Sequence, residues 1–450
     1  MCRHKQRQRY TSVAKIASLC IVTVIGCGQV DTALRSVTGD ESRSESAIEN
    51  DAHVSVAAVT IADAFDADVG AVADIGFWAH PTLAFNGLVI AAGAQGVATF
   101  DIETGAAVST LSEAPTSSVH IAYDIAGGRP EAYQGFAFLS STKSDAQNQS
   151  GVSIIAVDNI DRTGIFVGVI PVVSEVRSLC GGDVVKGSIT LYAVTQNGLK
   201  RVSAQYDQDE GFTAANVEDI PFKDAVDCTV DRRDGSTFAL NAAGAVYALD
   251  GEEPRLLRGG LSSDNAIGLD LFPRSHLITD ETDDASAEEN AEARSGQPTQ
   301  SSPAERGYIA VSSVNGVIRL LDYDGAERGA FRLAASFDYA DVSAPTAIGV
   351  GYGNYGGVYR AGVVALAAPG PAINPTNANA ADDLETPADD PARGPQTGLE
   401  TGYVRLAPWN GVVNALSLPN ETVVPARQPQ AATDGLPVLD IIPSFAPTSD

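Results

Sequence analysis

A short apolar strand, a glycine-containing reversal and a second alternating strand recur along most of this 450-residue chain. The unit is plain in GLVIAAGAQGVATFDIETG from Gly87, ITLYAVTQNGLKRVSA from Ile189 and STFALNAAGAVYALDG from Ser236. It returns in GYIAVSSVNGVIRLLDYDG from Gly307 and GVVALAA from Gly362. Val, Ile, Tyr and Phe alternate with small or polar residues, and Asn-Gly, Gln-Gly or Asp-Gly mark the reversals. Helical periodicity is scarce beyond the first 26 residues. The alternative is a β-sandwich, since the spacing is uneven. Recurrence at tens of residues instead predicts blades around an axis, an all-β propeller.

The N-terminal segment follows a different rule. Arg3, Lys5, Arg7, Arg9 and Lys15 precede an apolar run from Ile16 to Gly26. That run is shorter than the ~20 residues a membrane-spanning helix needs, so residues 1–26 read as a cleavable secretory leader. Val24-Ile25-Gly26-Cys27 resembles the bacterial lipobox. The resemblance implies that Cys27 is acylated and becomes the new N-terminus, with the lipid bilayer as the first partner. Gly28 follows where an inner-membrane retention aspartate would stand, so the expected place is the cell envelope, on the outer membrane. Residues 27–55, rich in Ser, Glu and Asp, then read as anchor and tether.

Cys2 and Cys20 leave with such a leader, which leaves Cys180 and Cys228 besides the acylated Cys27. In an oxidising compartment these two are a candidate disulfide; two buried free thiols are the alternative.

The chain holds 29 basic and 57 acidic residues, and losing the five basic residues of the leader leaves a net charge near −33. Nucleic acid and anionic lipid headgroups call for clustered Lys and Arg, so nucleic acid is excluded as a partner. The acid is concentrated at Asp280–Glu292 and Asp382–Asp390. Neither block has the alternating Asp spacing of a calcium loop, and both read as solvated insertions, about 274–306 and 369–401. The body is therefore expected over 56–420, with 421–450 as an extended tail.

Several segments together resemble the β-propeller phytases, calcium-dependent enzymes that release phosphate from inositol hexakisphosphate. They are DIGFWAHP from Asp74, DCTVDRRDGSTFALNAAGAVYAL from Asp227, GYIAVSSVNGVIRLLDYDG from Gly307, TAIGVGYGNYGGVYRAGVVALAA from Thr346 and YVRLAPW from Tyr403. They fall in the family's order over residues 70–410. The resemblance implies six blades, and Cys180 and Cys228 fall where similar sequences also have cysteines.

The family's chemistry rests on carboxylates at the channel mouth that hold calcium, which makes an acidic surface bind phosphate and activates a water. Here most of those positions differ. Asp74 matches one family aspartate, but its neighbour is Ala73. Ala94 and Gln95 stand where the family has a Lys pair; Ser117, Ser118 and His120 stand for Asn, Asn and Asp. Val226, Asn241, Ala242, Ile267 and Thr346 replace expected acids. Asp74 is thus the one family-matched metal ligand. The expectation is a non-catalytic binding or scaffolding module that needs no cofactor and serves an unidentified envelope protein or ligand. The alternative is an active calcium-dependent 3-phytase, with Asp68, Asp74, Asp101, Asp124, Asp231 and Asp270 as candidate ligands. No histidine pair has metal spacing, and no nucleophile elbow, phosphate loop or dinucleotide fingerprint is present.

Overall fold

The computed structural model describes residues 55–419 except 124–134, 142–150, 173, 186, 208–210, 252, 261–265, 275–305 and 370–401. The expected leader, Cys27, the tether, the tail and nearly all of both acidic insertions lie outside the described residues.

Two strands, β1 (Val56–Thr60) and β2 (Asp63–Asp66), precede the blades. Blade one is β3 (Val72–Trp78), β4 (Leu88–Gly93), β5 (Gly96–Asp101) and β6 (Ala107–Ser112). Blade two is β7 (Thr116–Tyr123), β8 (Gly135–Ser141), β9 (Gly151–Val157) and β10 (Gly164–Pro171). Blade three is β11 (Val176–Gly181), β12 (Ser188–Thr195), β13 (Gly198–Asp207) and β14 (Gly211–Ile220). Blade four is β15 (Ala225–Val230), β16 (Thr237–Asn241), β17 (Val246–Ala248) and β18 (Arg255–Arg258). Blade five is β19 (Ala266–Pro273), β20 (Gly307–Ser313), β21 (Ile318–Asp322) and β22 (Glu327–Ala334). Blade six begins with β23 (Ala347–Gly351), β24 (Val363–Pro369) and β25 (Gly402–Pro408), and a helix α1 (Trp409–Leu416) follows. Within each blade the strands pair antiparallel in chain order. The first strand of each blade packs on the first strand of the next, β3 to β7, β11, β15, β19, β23 and back to β3. The fold is a six-bladed β-propeller.

The ring closes with chain from the far end of the sequence. The outer strand of blade six is β2, antiparallel to β25 with Asp63 opposite Leu406 and Asp66 opposite Tyr403. β1 adds a fifth, parallel strand to β22, Val56 beside Ala330.

The core lies between blades rather than in one centre. One cluster joins Trp78, Val89 and Phe100 of blade one with Ile121 and Leu139 of blade two and Ala365 and Leu406 of blade six. Others fill the junctions of blades two and three, three and four, four and five, and five and six. Middle strands are covered on both faces, which is why LVIAAG and VVALAA are near-continuous apolar runs and not strict alternations. Trp409 of α1 stacks on Phe272 with ring centroids 3.7 Å apart and seals the junction of blades five and six. The Gly93–Gly96 reversal admits only glycine at position 96, where φ is +133° and a Cβ would collide with the carbonyl oxygen of Ser112.

Antiparallel pairing fixes which loops share a face. Turns from first to second and from third to fourth strand emerge where the inner strands end, called here the lower face. The second-to-third turns and the blade-to-blade connections emerge on the upper face.

Candidate functional site

The six inner strands enclose a cavity of about 130 Å³, lined among others by Asp74, His120, Asp227, Arg232, Asp270, Tyr352 and Tyr355. The inward edge of an inner strand has no ladder neighbour, so its backbone N–H groups need other acceptors. Five of the six inner strands also begin with a register shift, between Val72 and Asp74, Thr116 and Val119, Val176 and Ser178, Ala225 and Asp227, and Ala266 and Gly268. Such bulges leave backbone groups out of the ladder and turn side chains.

Those groups are met by side-chain oxygens of the preceding blade. Asp74 Oδ2 accepts from the backbone N–H of Val119 at 2.9 Å and from Ser118 Oγ at 2.5 Å, while its Oδ1 accepts from its own neighbour, Ile75. Ser118 Oγ in turn accepts from Leu179 N–H at 3.0 Å. Ser178 Oγ donates to Asp227 Oδ1 at 2.5 Å, and Asp227 Oδ2 accepts from Leu269 N–H at 2.9 Å. Asp270 Oδ2 accepts from Val350 N–H at 2.6 Å, and Thr346 Oγ1 donates to the carbonyl of Val72 at 2.6 Å, reaching blade one again. A continuous belt of side chains thus ties each inner strand to the next.

Burial pushes the Asp74 carboxyl up to about 8, with the nearby Asp227 adding to the rise against the hydrogen bonds it accepts. Burial likewise raises Asp270 to about 7 and Asp227 to about 6. These are carboxyls held by backbone and hydroxyl donors, poorly placed to present bare charge. Burial pushes His120 down to about 4, so its ring is neutral at pH 7, with Nε2 3.5 Å from the carbonyl of Gly182.

Toward the lower end of the channel Arg232 pairs with Asp183 at 3.2 Å and lies over the Tyr123 ring, 5.0 Å from its centroid. Asp183 also accepts from the Tyr123 N–H. This cation is engaged by a carboxylate and a ring face, which leaves it weakly available to an anionic ligand.

Of the six candidate metal ligands, the structure brings Asp74 and Asp270 to the channel and disperses three others. Asp101 organises its own turn through Thr104 and pairs with Arg162 at 2.6 Å. Asp231 is fully buried against Arg233 at 2.7 Å and the Tyr323 hydroxyl at 2.8 Å. Asp68 sits in a left-handed turn at φ +43°, its N–H bonded to Asp66. Asp124 lies outside the described residues. Asp227, which sequence reasoning did not single out, completes the channel set; the available signal was an aspartate alone in an apolar strand, as in Ala-Val-Asp-Cys-Thr-Val. Among the described residues, no three His, Cys, Asp or Glu side chains take positions that could hold a metal ion.

The cysteines, and the histidine and tryptophans of the DIGFWAHP and YVRLAPW segments, have structural roles. Cys180 and Cys228 form a disulfide between the inner strands of blades three and four, Cα atoms 5.7 Å apart. His80 ties two lower-face loops together: Nε2 meets the carbonyl of Asn159 at 2.8 Å, and Nδ1 accepts from the N–H groups of Thr82 and Leu83. Trp78 and Trp409 are fully buried.

No family model matches the chain. No curated protein matches it either. Among solved structures, it is similar to the crystal structure of BBS1N in complex with ARL6DN, soaked with lead, at 7% identity and a TM-score of 0.39, covering 66% of this chain and 76% of that one. The mercury-soaked crystal of the same complex aligns at 8% identity and a TM-score of 0.35, over 62% of this chain and 70% of that one.

Proposed function

We propose that the chain is an envelope lipoprotein, anchored through acylated Cys27, whose phytase-like propeller is a non-catalytic binding or scaffolding module. One observation carries this reading. The channel carboxyls Asp74, Asp227 and Asp270 are each occupied by donors from two neighbouring inner strands. A calcium ion at that level would have to replace backbone hydrogen bonds that join the blades, each an expensive group to leave unmet. The dispersal of Asp68, Asp101 and Asp231 supports the same reading, as does the replacement of the family's acids by Val226, Ala242 and Ile267. The module would present its loops to another envelope component or ligand.

The second reading, a calcium-dependent 3-phytase, draws on the proximity of Asp74 and Asp270 to Asp227 in one channel. In that case Asp74 and Asp270 would hold calcium, which would supply a bound water of lowered pKa and a positive surface for phosphate. Release of inorganic phosphate from phytate by the purified chain, with calcium and with a chelator, separates the two. The scaffolding reading expects equal background in both; calcium-dependent turnover overturns it.

A further inference from the structure

The lower face carries apolar side chains that the described residues leave exposed. Ile160 is 92% exposed, and Leu83, Phe85, Ile165, Phe166 and Val358 are each more than 40% exposed. They come from different segments that the fold joins. His80 holds the loop of Leu83 to the loop of Ile160, and Arg162 ties that second loop to Asp101 of blade one. Phe85 lies beside Gly356, where φ of +83° brings the backbone so close that a Cβ would meet it at 2.8 Å; Val358 is two residues on. Ile165 and Phe166 continue the row at the lower end of β10, whose first three residues are exposed. Six exposed apolar side chains gathered on one face mark a contact surface.

The path of the chain says what lies against it. β1 is parallel to β22, and Val56 pairs with Ala330 near the start of that strand, just beyond the lower-face turn after Asp322. The chain therefore reaches the propeller from the lower side. Residues 27–55 can span at most about 100 Å even fully drawn out, so an anchor at Cys27 keeps this face within reach of the surface that holds the anchor. Arg360, exposed beside Val358, is placed to meet a phosphate oxygen. Phenylalanine and branched aliphatic side chains next to polar loops suit the boundary between headgroups and acyl chains.

We infer that the lower face of the propeller rests on a phospholipid bilayer, with Phe85, Ile160 and Phe166 entering the headgroup boundary. This rests on the lipid-anchor reading of Cys27. It gives the module an orientation: the upper face, with the blade-to-blade loops and the carboxyl belt end of the channel, points away from the membrane and toward partners.

The test uses the full chain, matured in bacteria and reconstituted into phosphatidylcholine–phosphatidylethanolamine vesicles. With Cys27 acylated and Cys180 joined to Cys228, a cysteine introduced on the surface is the sole reactive thiol of the mature chain. A polarity-sensitive fluorophore is placed through Phe85→Cys, or through Phe337→Cys on the upper face, where the native side chain is also exposed. The fluorophore at 85 should shift to the blue and be quenched by a lipid-borne quencher; the one at 337 should show neither. Adding Ile160→Asp and Phe166→Asp should abolish the response at 85. In an acylated chain, identical behaviour at 85 and 337 overturns the inference and assigns the row to a protein partner. A mature N-terminal peptide whose mass lacks acyl groups sinks the anchor reading and this inference with it, so the two failures are told apart.

Discussion

Asp74 and Asp270 look like metal ligands in the sequence, and together with Asp227 they act as fasteners in the fold. Each accepts from its own strand and from the neighbouring blade, so one side chain satisfies two backbone groups that the ladder cannot. Their pKa values are raised by burial, to about 8, 6 and 7. The unfolded chain releases these protons near pH ~4, whereas the folded chain keeps them longer, so the folded state binds more protons in between. Unfolding free energy should therefore fall as pH rises from about 4 to about 8, and the melting temperature with it. Asp74→Asn keeps an acceptor oxygen and cannot ionise, so it should flatten the upper part of that slope. A melting temperature that climbs across this range, or a slope the variant leaves untouched, contradicts the assignment. The aspartate in DIGFWAHP was legible as special from the sequence; its role was not, because the partner groups are backbone atoms of a segment 45 residues away.

At the scale of strands and helices, alternation and Gly-containing reversals made the blade hairpins legible. Closure was not. Asp63-Ala64-Phe65-Asp66 is a four-residue strand without an apolar run, and its partner β25 lies more than 300 residues on. Nothing local encodes such a pairing. Truncation of the chain through Ala67 removes β1 and β2 and leaves blade six with an open edge. It should abolish the cooperative thermal transition seen for the full chain; an unchanged transition would show that closure is dispensable. The Cys180–Cys228 disulfide reinforces another junction. Closing a loop with a sequence separation of 48 constrains the unfolded chain by about 4 kcal/mol on the chain-entropy model. Replacing both cysteines by serine should lower the urea midpoint accordingly; an unmoved midpoint would mean that the packing of blades three and four suffices. Nothing in the sequence marked Trp409 as the start of a helix. Trp409→Ala should cost about 3–5 kcal/mol by emptying its stack on Phe272, read from the same urea titration.

For the whole molecule, recurrence of the strand–turn–strand unit pointed to a propeller, and the resemblance to the phytases supplied the expectation of six blades, which the six inner strands meet. What the molecule does was less legible, because function in this architecture depends on which side chains converge at the channel. The sequence places acids along the chain but does not say which of them are already bonded to backbone. Asp231, held by Arg233 and Tyr323, illustrates the point: an aspartate in a promising motif is engaged as a buried ion pair. The proposed scaffolding role requires that this channel bind no calcium. The measurement that meets it most directly is the melting temperature of the full chain with millimolar calcium and with a chelator. A ligand present at 100 times its dissociation constant adds about 2.7 kcal/mol to the folded state, enough to move the transition by several degrees. A metal-free channel gives coincident transitions in the two buffers. A calcium-dependent rise that Asp74→Asn removes would contradict the scaffolding role and restore the phosphatase reading.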